Sequence, residues 1–408
     1  MTLRQRTTCR ACDGALETFL ALGEQPLANR LRRRDEPVSV PRYPLTLARC
    51  TACDLVQLRE VIDAAVLFAD YAYVPSTSST MHRHFDELAR TAITRLGLGG
   101  SDRVVDIGSN DGLLLTAFKR HGTRVTGVEP AENLARRATE NGIPTFCGFF
   151  TEDLARRIAA DGPAALVCAT NVFAHVDDIR GFLRAANALL RPDGVFLVEV
   201  QSWADTVESL AFDMTYHEHM TYYATAPLAA MCRREGLELL DVDRVSTHGG
   251  SLRAWIGRPG HAIANPDRVA TRIAAEANSA GAAGCQRMAR GVEQLREELR
   301  AMLQGIRSAG GRVAGYGAPA KATVLLNYCG LTRADVTWVA DKNEAKQGHF
   351  IPGADVPVVP AERIAQDPPT HLLLLAWNLA EEIAAEQAAY LSAGGKLVVP
   401  VPHPRIVG

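Results

Sequence analysis

The run Val104-Val-Asp-Ile-Gly-Ser-Asn-Asp-Gly112 constrains the fold of this chain more than any other stretch. An apolar segment carrying Asp106 ends in a turn with Gly108 and Gly112, and Leu113 to His121 read as a helix. Strand, glycine turn and helix in that order open a doubly wound nucleotide-cofactor domain, with the ligand against the turn and the unpaired N–H groups of the helix start. The turn is not a GxGxxG fingerprint. Asn110 and Asp111 stand where a diphosphate requires glycine and positive potential, which counts against a dinucleotide-dependent dehydrogenase. Asp106 and Asp111 suit instead a cofactor with a positive centre and no phosphate, such as S-adenosylmethionine.

The context supports a cofactor domain. Strands are expected at Arg103–Ile107, Arg124–Val128, Pro144–Phe146, Ala165–Ala169 and Gly194–Val200, with helical periodicity between them, as over Ile179–Leu190. Glu129 closes the second strand, where an acidic residue accepts hydrogen bonds from ribose hydroxyls. Asn171 and His175 follow the fourth strand, at the carboxyl edge where ligands bind in open α/β sheets. A chain of 408 residues exceeds one ordinary core and implies two to three domains.

Upstream, Cys9-Arg-Ala-Cys12 and Cys50-Thr-Ala-Cys53 are two CxxC knuckles, which together offer four soft ligands to a tetrahedral zinc. With all four positions filled by protein the zinc is structural, and a module this small needs such a staple. Pro26–Asn29 reads as a loop, Tyr43–Leu47 as a strand, and Val61–Phe68 as helical. A polar, aromatic loop with Tyr71 and Tyr73 follows, and then a helix over Met81–Leu96. Lys plus Arg number 44 against 46 Asp plus Glu, a net charge of -2 that gives no general reason to expect nucleic acid or an anionic membrane as partner. A zinc-dependent nucleic-acid binder would need a contiguous basic face, and Arg30–Arg34 is one short run. The start of the chain has no apolar leader pattern and no run is long enough to span a membrane, so the cytoplasm is the expected location.

The densest chemistry lies at Phe212-Asp-Met-Thr-Tyr-His-Glu-His-Met-Thr-Tyr-Tyr223. Tyr216, His217, Glu218 and His219 are adjacent, and the histidines are too close for the HExxH of a zinc protease. Imidazole beside carboxylate and phenol is what proton abstraction next to a ketone needs: a base, an orienting carboxylate, and a donor to the developing enolate oxygen. Tyr222 is a further candidate contact to substrate. Beyond a strand pair at Leu239–Val245 and Leu252–Ile256, Pro266–Met302 reads as one long connecting helix. A second strand–turn–helix unit begins at Val313, with Tyr316 in its turn region and Lys321 near the helix start, where a diphosphate is welcome. Asp341 and Lys346 belong to a polar cluster at the end of the next strand. The two units together suggest one phosphate-free cofactor and one phosphate-bearing substrate.

Taken together, Cys9/Cys12/Cys50/Cys53, the Asp106–Gly112 turn, Tyr216-His-Glu-His219, and Gly315-Tyr-Gly-Ala-Pro-Ala-Lys321 with Leu325-Leu-Asn-Tyr328 resemble the S-adenosylmethionine-dependent sugar C-methyltransferases of deoxysugar biosynthesis. The resemblance runs over essentially the whole chain. It implies an α/β fold class: a zinc-stapled N-terminal module (1–70), a Rossmann-like class I methyltransferase domain with a catalytic insertion (71–258), a helical connector (259–303) and a second Rossmann-like domain (304–408). It implies a nucleotide-linked 4-keto deoxysugar, usually dTDP-linked, as methyl acceptor, with its nucleotide end held by the C-terminal domain. His219 then resembles the general base, Tyr216, Glu218 and His175 its companions, and Tyr71, or else Tyr73, the tyrosine contributed by the N-terminal loop. The family often has glycine and asparagine where this chain has Ala322 and Thr323. Methylation at C3, C5 as the alternative, and a monomer or weak homodimer complete the expectation; an O- or N-methyltransferase would not need the Tyr-His-Glu-His cluster.

Overall fold

The computed structural model describes residues 3–67, 75–77 and 79–408; Tyr71 and Tyr73 lie outside the described residues. Its central element is a seven-stranded sheet in the order Glu238–Val245, Ser251–Gly257, Leu190–Gln201, Ala164–Thr170, Arg103–Ile107, Arg124–Glu129, Thr145–Cys147. The last five pair in parallel, and Ser251–Gly257 enters antiparallel between Leu190–Gln201 and Glu238–Val245. Parallel strands covered on both faces must be apolar almost throughout, and Ala-Ala-Leu-Val-Cys-Ala of Ala164–Thr170 is buried at every position. Chain order reverses between Arg103–Ile107 and Ala164–Thr170. The crevice beyond the carboxyl ends of those two strands is therefore the expected ligand position.

A second seven-stranded sheet is centred on Val313–Tyr316, which pairs in parallel with Val339–Ala340 on one side and His371–Leu374 on the other. The N-terminal module forms a four-stranded sheet of Leu16–Gln25, Tyr43–Cys50, Val56–Leu58 and, from far along the chain, Thr221–Tyr222. That last strand carries the end of the Tyr-His-Glu-His segment into the N-terminal module. One apolar core runs from Leu45, Leu47 and Leu58 through Trp203 and Phe212 to Leu325 and Leu373, so module, insertion and C-terminal sheet share a single interior.

Two expectations need correction. Among the described residues the helix covers Ala64–Leu67, with Phe68 outside them, while Val61 and Ile62 belong to a strand, Glu60–Ile62, that pairs with Leu3–Gln5. Their β-branched side chains favour the paired, extended form over the helix that an apolar pattern suggested. The long connecting helix is two helices, Pro266–Ala280 and Ala282–Ser308, because Gly281 between them is extended. The bend brings Gly284 so near Ser279 that an added Cβ would lie 1.9 Å from its carbonyl oxygen. Leu295, Leu299 and Leu303 of the second helix, at four-residue spacing, are buried in the shared core.

Candidate active site

The first glycine turn is built by its own hydrogen bonds. Gly108 and Ser109 N–H groups donate to the Val128 carbonyl at 2.7 and 3.1 Å, drawing the turn over the neighbouring strand. The Asn110 N–H donates to Glu129 Oε2 and the Ala131 N–H to Oε1, both at 2.9 Å, so Glu129 is fixed at the rim with further lone pairs in reserve. Gly108 has φ +66°, and a Cβ there would meet Val172 Cγ2 at 2.4 Å. Asn110 and Asn171 are left-handed too, a conformation asparagine tolerates better than most residues, and the Asn171 N–H is held by the Glu199 carbonyl at 2.7 Å. Asp106 is buried, and its Oδ1 has no hydrogen-bond partner among the described residues. Burial, then the nearby Glu129, pushes its carboxyl well above the usual range, and burial raises Glu129 as well. Two carboxyl groups short of positive charge, a cradle only glycine fits, and the absence of a cation on the turn suit a ligand that is itself cationic, as S-adenosylmethionine is. Gly108→Ala is expected to weaken S-adenosylmethionine binding at least about tenfold, through backbone strain of about 1–3 kcal/mol and the clash with Val172, as measured by calorimetry.

Past the sheet, two segments converge. His175 ends a single 3-10 turn, Phe173–His175, that follows the strand Ala164–Thr170. Its ring centroid is 5.0 Å from that of His219, and the rings are nearly perpendicular. The Tyr216 hydroxyl lies 2.8 Å from His219 Nε2, while Nδ1 lies 2.9 Å from the Met214 carbonyl oxygen. A carbonyl only accepts, so Nδ1 carries the hydrogen; Nε2 is then the basic nitrogen and accepts from the phenol. Within this segment Tyr216 and His219 stay partly accessible while His217 and Glu218 are buried. Although the residue is partly accessible, burial of the His175 ring lowers it from the ordinary histidine value to about 4, so it is neutral at pH 7. The Met220 N–H donates to the Ala174 carbonyl at 2.7 Å and the Tyr223 hydroxyl to the Phe173 carbonyl at 3.1 Å, which tie the two histidine-bearing segments together.

Several expected contacts fall elsewhere. The orienting partner of His219 is the Met214 carbonyl and not the Glu218 carboxylate, which accepts from Asn29 Nδ2 in the N-terminal module. Sequence reasoning read Asn29 only as part of a loop, and a contact across so many residues has no local signal. Burial raises Glu218 from 4.5 to about 7. Between those values the folded protein holds a proton the unfolded chain has lost, so this group makes stability fall as pH rises through that window. Glu218→Gln is expected to remove that fall, seen as a flatter dependence of Tm on pH from 4.5 to 7. His217 Nε2 donates to the Pro44 carbonyl at 2.9 Å, and its ring packs edge-on against Tyr43. Tyr222 pairs with Val56 in the N-terminal sheet and packs edge-on to Trp203 with 2% exposure, a core position rather than a substrate contact.

In the C-terminal sheet, Tyr316 donates to Glu386 Oε2 at 3.0 Å, Asp341 accepts from the Ala318 N–H at 2.6 Å, and Lys346 Nζ donates to the Ala318 carbonyl at 2.9 Å. These three gather at the carboxyl edge of the sheet, around the second glycine turn. Lys321 does not face outward with them. It is buried, over the Trp377 ring at 3.9 Å with Nζ on Asn378 Oδ1, and burial lowers it to about 8 against the opposing pull of Asp213. The open phosphate-binding lysine expected from sequence is here an internal cation.

In the N-terminal module, the sulfur atoms of Cys9, Cys12, Cys50 and Cys53 all lie within 4.8 Å of one another and none is in a disulfide. Sγ separations of 3.7 Å for Cys9–Cys53, 3.4 Å for Cys12–Cys50 and 3.5 Å for Cys12–Cys53 approach the ~3.8 Å edge of a tetrahedron with ~2.3 Å Zn–S bonds. N–H groups of Ala11, Ala52 and the Gln57 side chain point at these sulfurs, as thiolates in a zinc knuckle require. The four cysteines hold a structural zinc.

The fold and site define a zinc-containing, S-adenosylmethionine-dependent methyltransferase. Three family models match in sequence: a putative zinc binding domain over residues 9–68, a methyltransferase domain over 81–242, and a C-methyltransferase C-terminal domain over 246–402. The C-methyltransferase NovU of Streptomyces niveus is 36% identical over 406 residues, covering 98% of this chain and 96% of that one. A ubiquinone biosynthesis O-methyltransferase of Methylocella silvestris is 33% identical over 150 residues, 35% of this chain and 57% of that one. The chain belongs to the S-adenosylmethionine-dependent sugar C-methyltransferase family. No helix among the described residues is long and apolar enough to cross a membrane.

Proposed function

We propose that the enzyme methylates C3 of a dTDP-linked 4-keto deoxysugar, with His219 as the base. The observation that carries this reading is the Tyr216–His219–Met214 arrangement, in which the imidazole has one nitrogen fixed as donor and the other against a phenol, with His175 beside it and Tyr216, His219 and His175 all partly accessible. S-adenosylmethionine, held by Asp106, Gly108, Asn110, Gly112, Glu129 and Asn171, supplies an electrophilic methyl on a cationic sulfur. The residues do the rest. His219 Nε2 takes the proton from C3, the C–H pair becomes the C3=C4 bond of an enolate, and charge collects on O4. The Tyr216 hydroxyl, released from Nε2 as substrate enters, donates to that oxygen, and neutral His175 lies beside the base. C3 is then the carbon nucleophile, and positioning it accounts for much of the remaining rate gain. Tyr316, Asp341 and Lys346 line the sheet edge that suits the nucleotide end of the substrate, and Tyr71 or Tyr73 is the proposed aromatic contribution of the N-terminal loop.

A panel of dTDP-4-keto sugars assayed by mass spectrometry, with NMR location of the new methyl, tests this reading. Product methylated at C3 is the expected result. Methyl at C5 transfers the same mechanism to the other carbon beside the ketone, and methyl on oxygen or nitrogen overturns it.

A further inference from the structure

The 3-10 turn Phe212–Met214 connects the base to the C-terminal domain. Its last residue supplies the carbonyl that holds His219 Nδ1. Asp213, one peptide earlier, has no exposed surface, and its Oδ2 accepts from the Trp377 indole N–H at 2.7 Å. Trp377 follows the strand His371–Leu374 of the C-terminal sheet, and its ring carries Lys321 from the helix Ala320–Tyr328 at 3.9 Å. Phe212, on the other side of Asp213, meets Tyr328 of that same helix with ring centroids 5.2 Å apart. A buried carboxylate is costly unless hydrogen-bonded and near a positive charge; backbone N–H groups of Asp213 and Met214 supply part of the hydrogen bonding, and the C-terminal domain supplies the indole donor and the nearby Lys321. Lys321 and Trp377 are thus spent on a turn of the catalytic insertion rather than on an open ligand edge.

We propose that Trp377, through Asp213 and the Met214 carbonyl, is a positioning residue for His219, so that the C-terminal domain fixes the orientation of the base as well as lying beside it. This rests on the reading of His219 as the base. An imidazole whose Nδ1–H loses its fixed acceptor samples both tautomers and tilts, and the fraction of molecules presenting a basic Nε2 falls. Among the described residues, Tyr216 and His175 are the other ionisable groups facing that ring.

The test uses the full-length zinc-loaded protein and follows exchange of the sugar's α-proton with deuterated solvent by NMR. Trp377→Phe leaves an aromatic ring at the position and removes the indole donor together with the five-membered half of the ring. It is expected to lower the maximal exchange rate about tenfold and move the acid limb of its pH profile to lower pH, with KM for the sugar and Kd for S-adenosylmethionine within about twofold. Asp213→Asn keeps an acceptor for the indole and should retain most of the rate that Asp213→Ala loses, a comparison that stands even where Trp377→Phe folds poorly. An unchanged rate and pH profile in Trp377→Phe, equal rates in the two Asp213 variants, or a loss confined to KM would overturn the positioning link. His219→Gln in the same assay separates the two claims. If that variant still exchanges at the parent rate the base assignment fails, whereas an inactive His219→Gln beside an unaltered Trp377→Phe removes only the link.

Discussion

His219→Gln is expected to slow exchange of the sugar's α-proton with solvent by about 10²–10⁴-fold, and methyl transfer with it. Glutamine keeps roughly the volume and the hydrogen-bonding reach of histidine, so the Met214 carbonyl and the Tyr216 hydroxyl retain partners; what it lacks is a basic lone pair. The described hydrogen bonds of the S-adenosylmethionine turn run to Val128 and Glu129 of the methyltransferase sheet, so its Kd should stay within about twofold. A selective loss of this kind marks an interaction made in the transition state rather than in ground-state binding. Tyr216→Phe should cost about 10²–10³-fold in the same step, since it removes one donor to the enolate oxygen. Exchange that persists at the parent rate in His219→Gln would move the base to another residue.

What the sequence made legible was local. The Asp106–Gly112 turn is a turn because glycine supplies the positive φ at Gly108 and Gly112. The two cysteine knuckles announce a tetrahedral site because two CxxC pairs offer four soft ligands on short turns. Contacts between distant segments left no such trace. Glu218 looked like the natural orienter of His219, one residue away, yet adjacent side chains on an irregular segment diverge, and Glu218 turns to Asn29. Tyr222 looked like a substrate ligand because it follows the histidines; its two-residue strand instead joins the N-terminal sheet and takes the side chain into the core. Lys321 at a helix start suggested a phosphate, but nothing local could show that Trp377 and Asp213 would enclose it.

Removing the zinc should therefore cripple the base while sparing the methyl donor's site. The segment from His217 to Tyr222 is sewn to the N-terminal module at several points. His217 meets the Pro44 carbonyl at 2.9 Å, Asn29 holds Glu218, the Leu58 N–H donates to the Met220 carbonyl at 2.9 Å, and Thr221–Tyr222 pairs with Val56–Gln57. Arg10, inside the first knuckle, reaches across to Asp177 at 3.0 Å, just after His175. The knuckles fix the start of Leu16–Gln25 and the end of Tyr43–Cys50, so the sheet that carries these contacts is anchored by the metal. Structural zinc contributes about 10–16 kcal/mol of apparent binding free energy in isolated zinc-finger peptides, far more than a small sheet can replace. Displacing a base by even ~1 Å can cost ~10²-fold in rate. Cys12→Ser, or chelation monitored by zinc release, is thus expected to lower Tm and reduce α-proton exchange about a hundredfold or more. The Kd for S-adenosylmethionine, read by calorimetry on the same sample, should change by less than about fivefold, because the hydrogen bonds of the Asp106–Gly112 turn among the described residues run to Val128, to Glu129 and within the turn itself. Zinc-free protein that exchanges the proton at the parent rate would show that the module folds and holds the histidines without its metal.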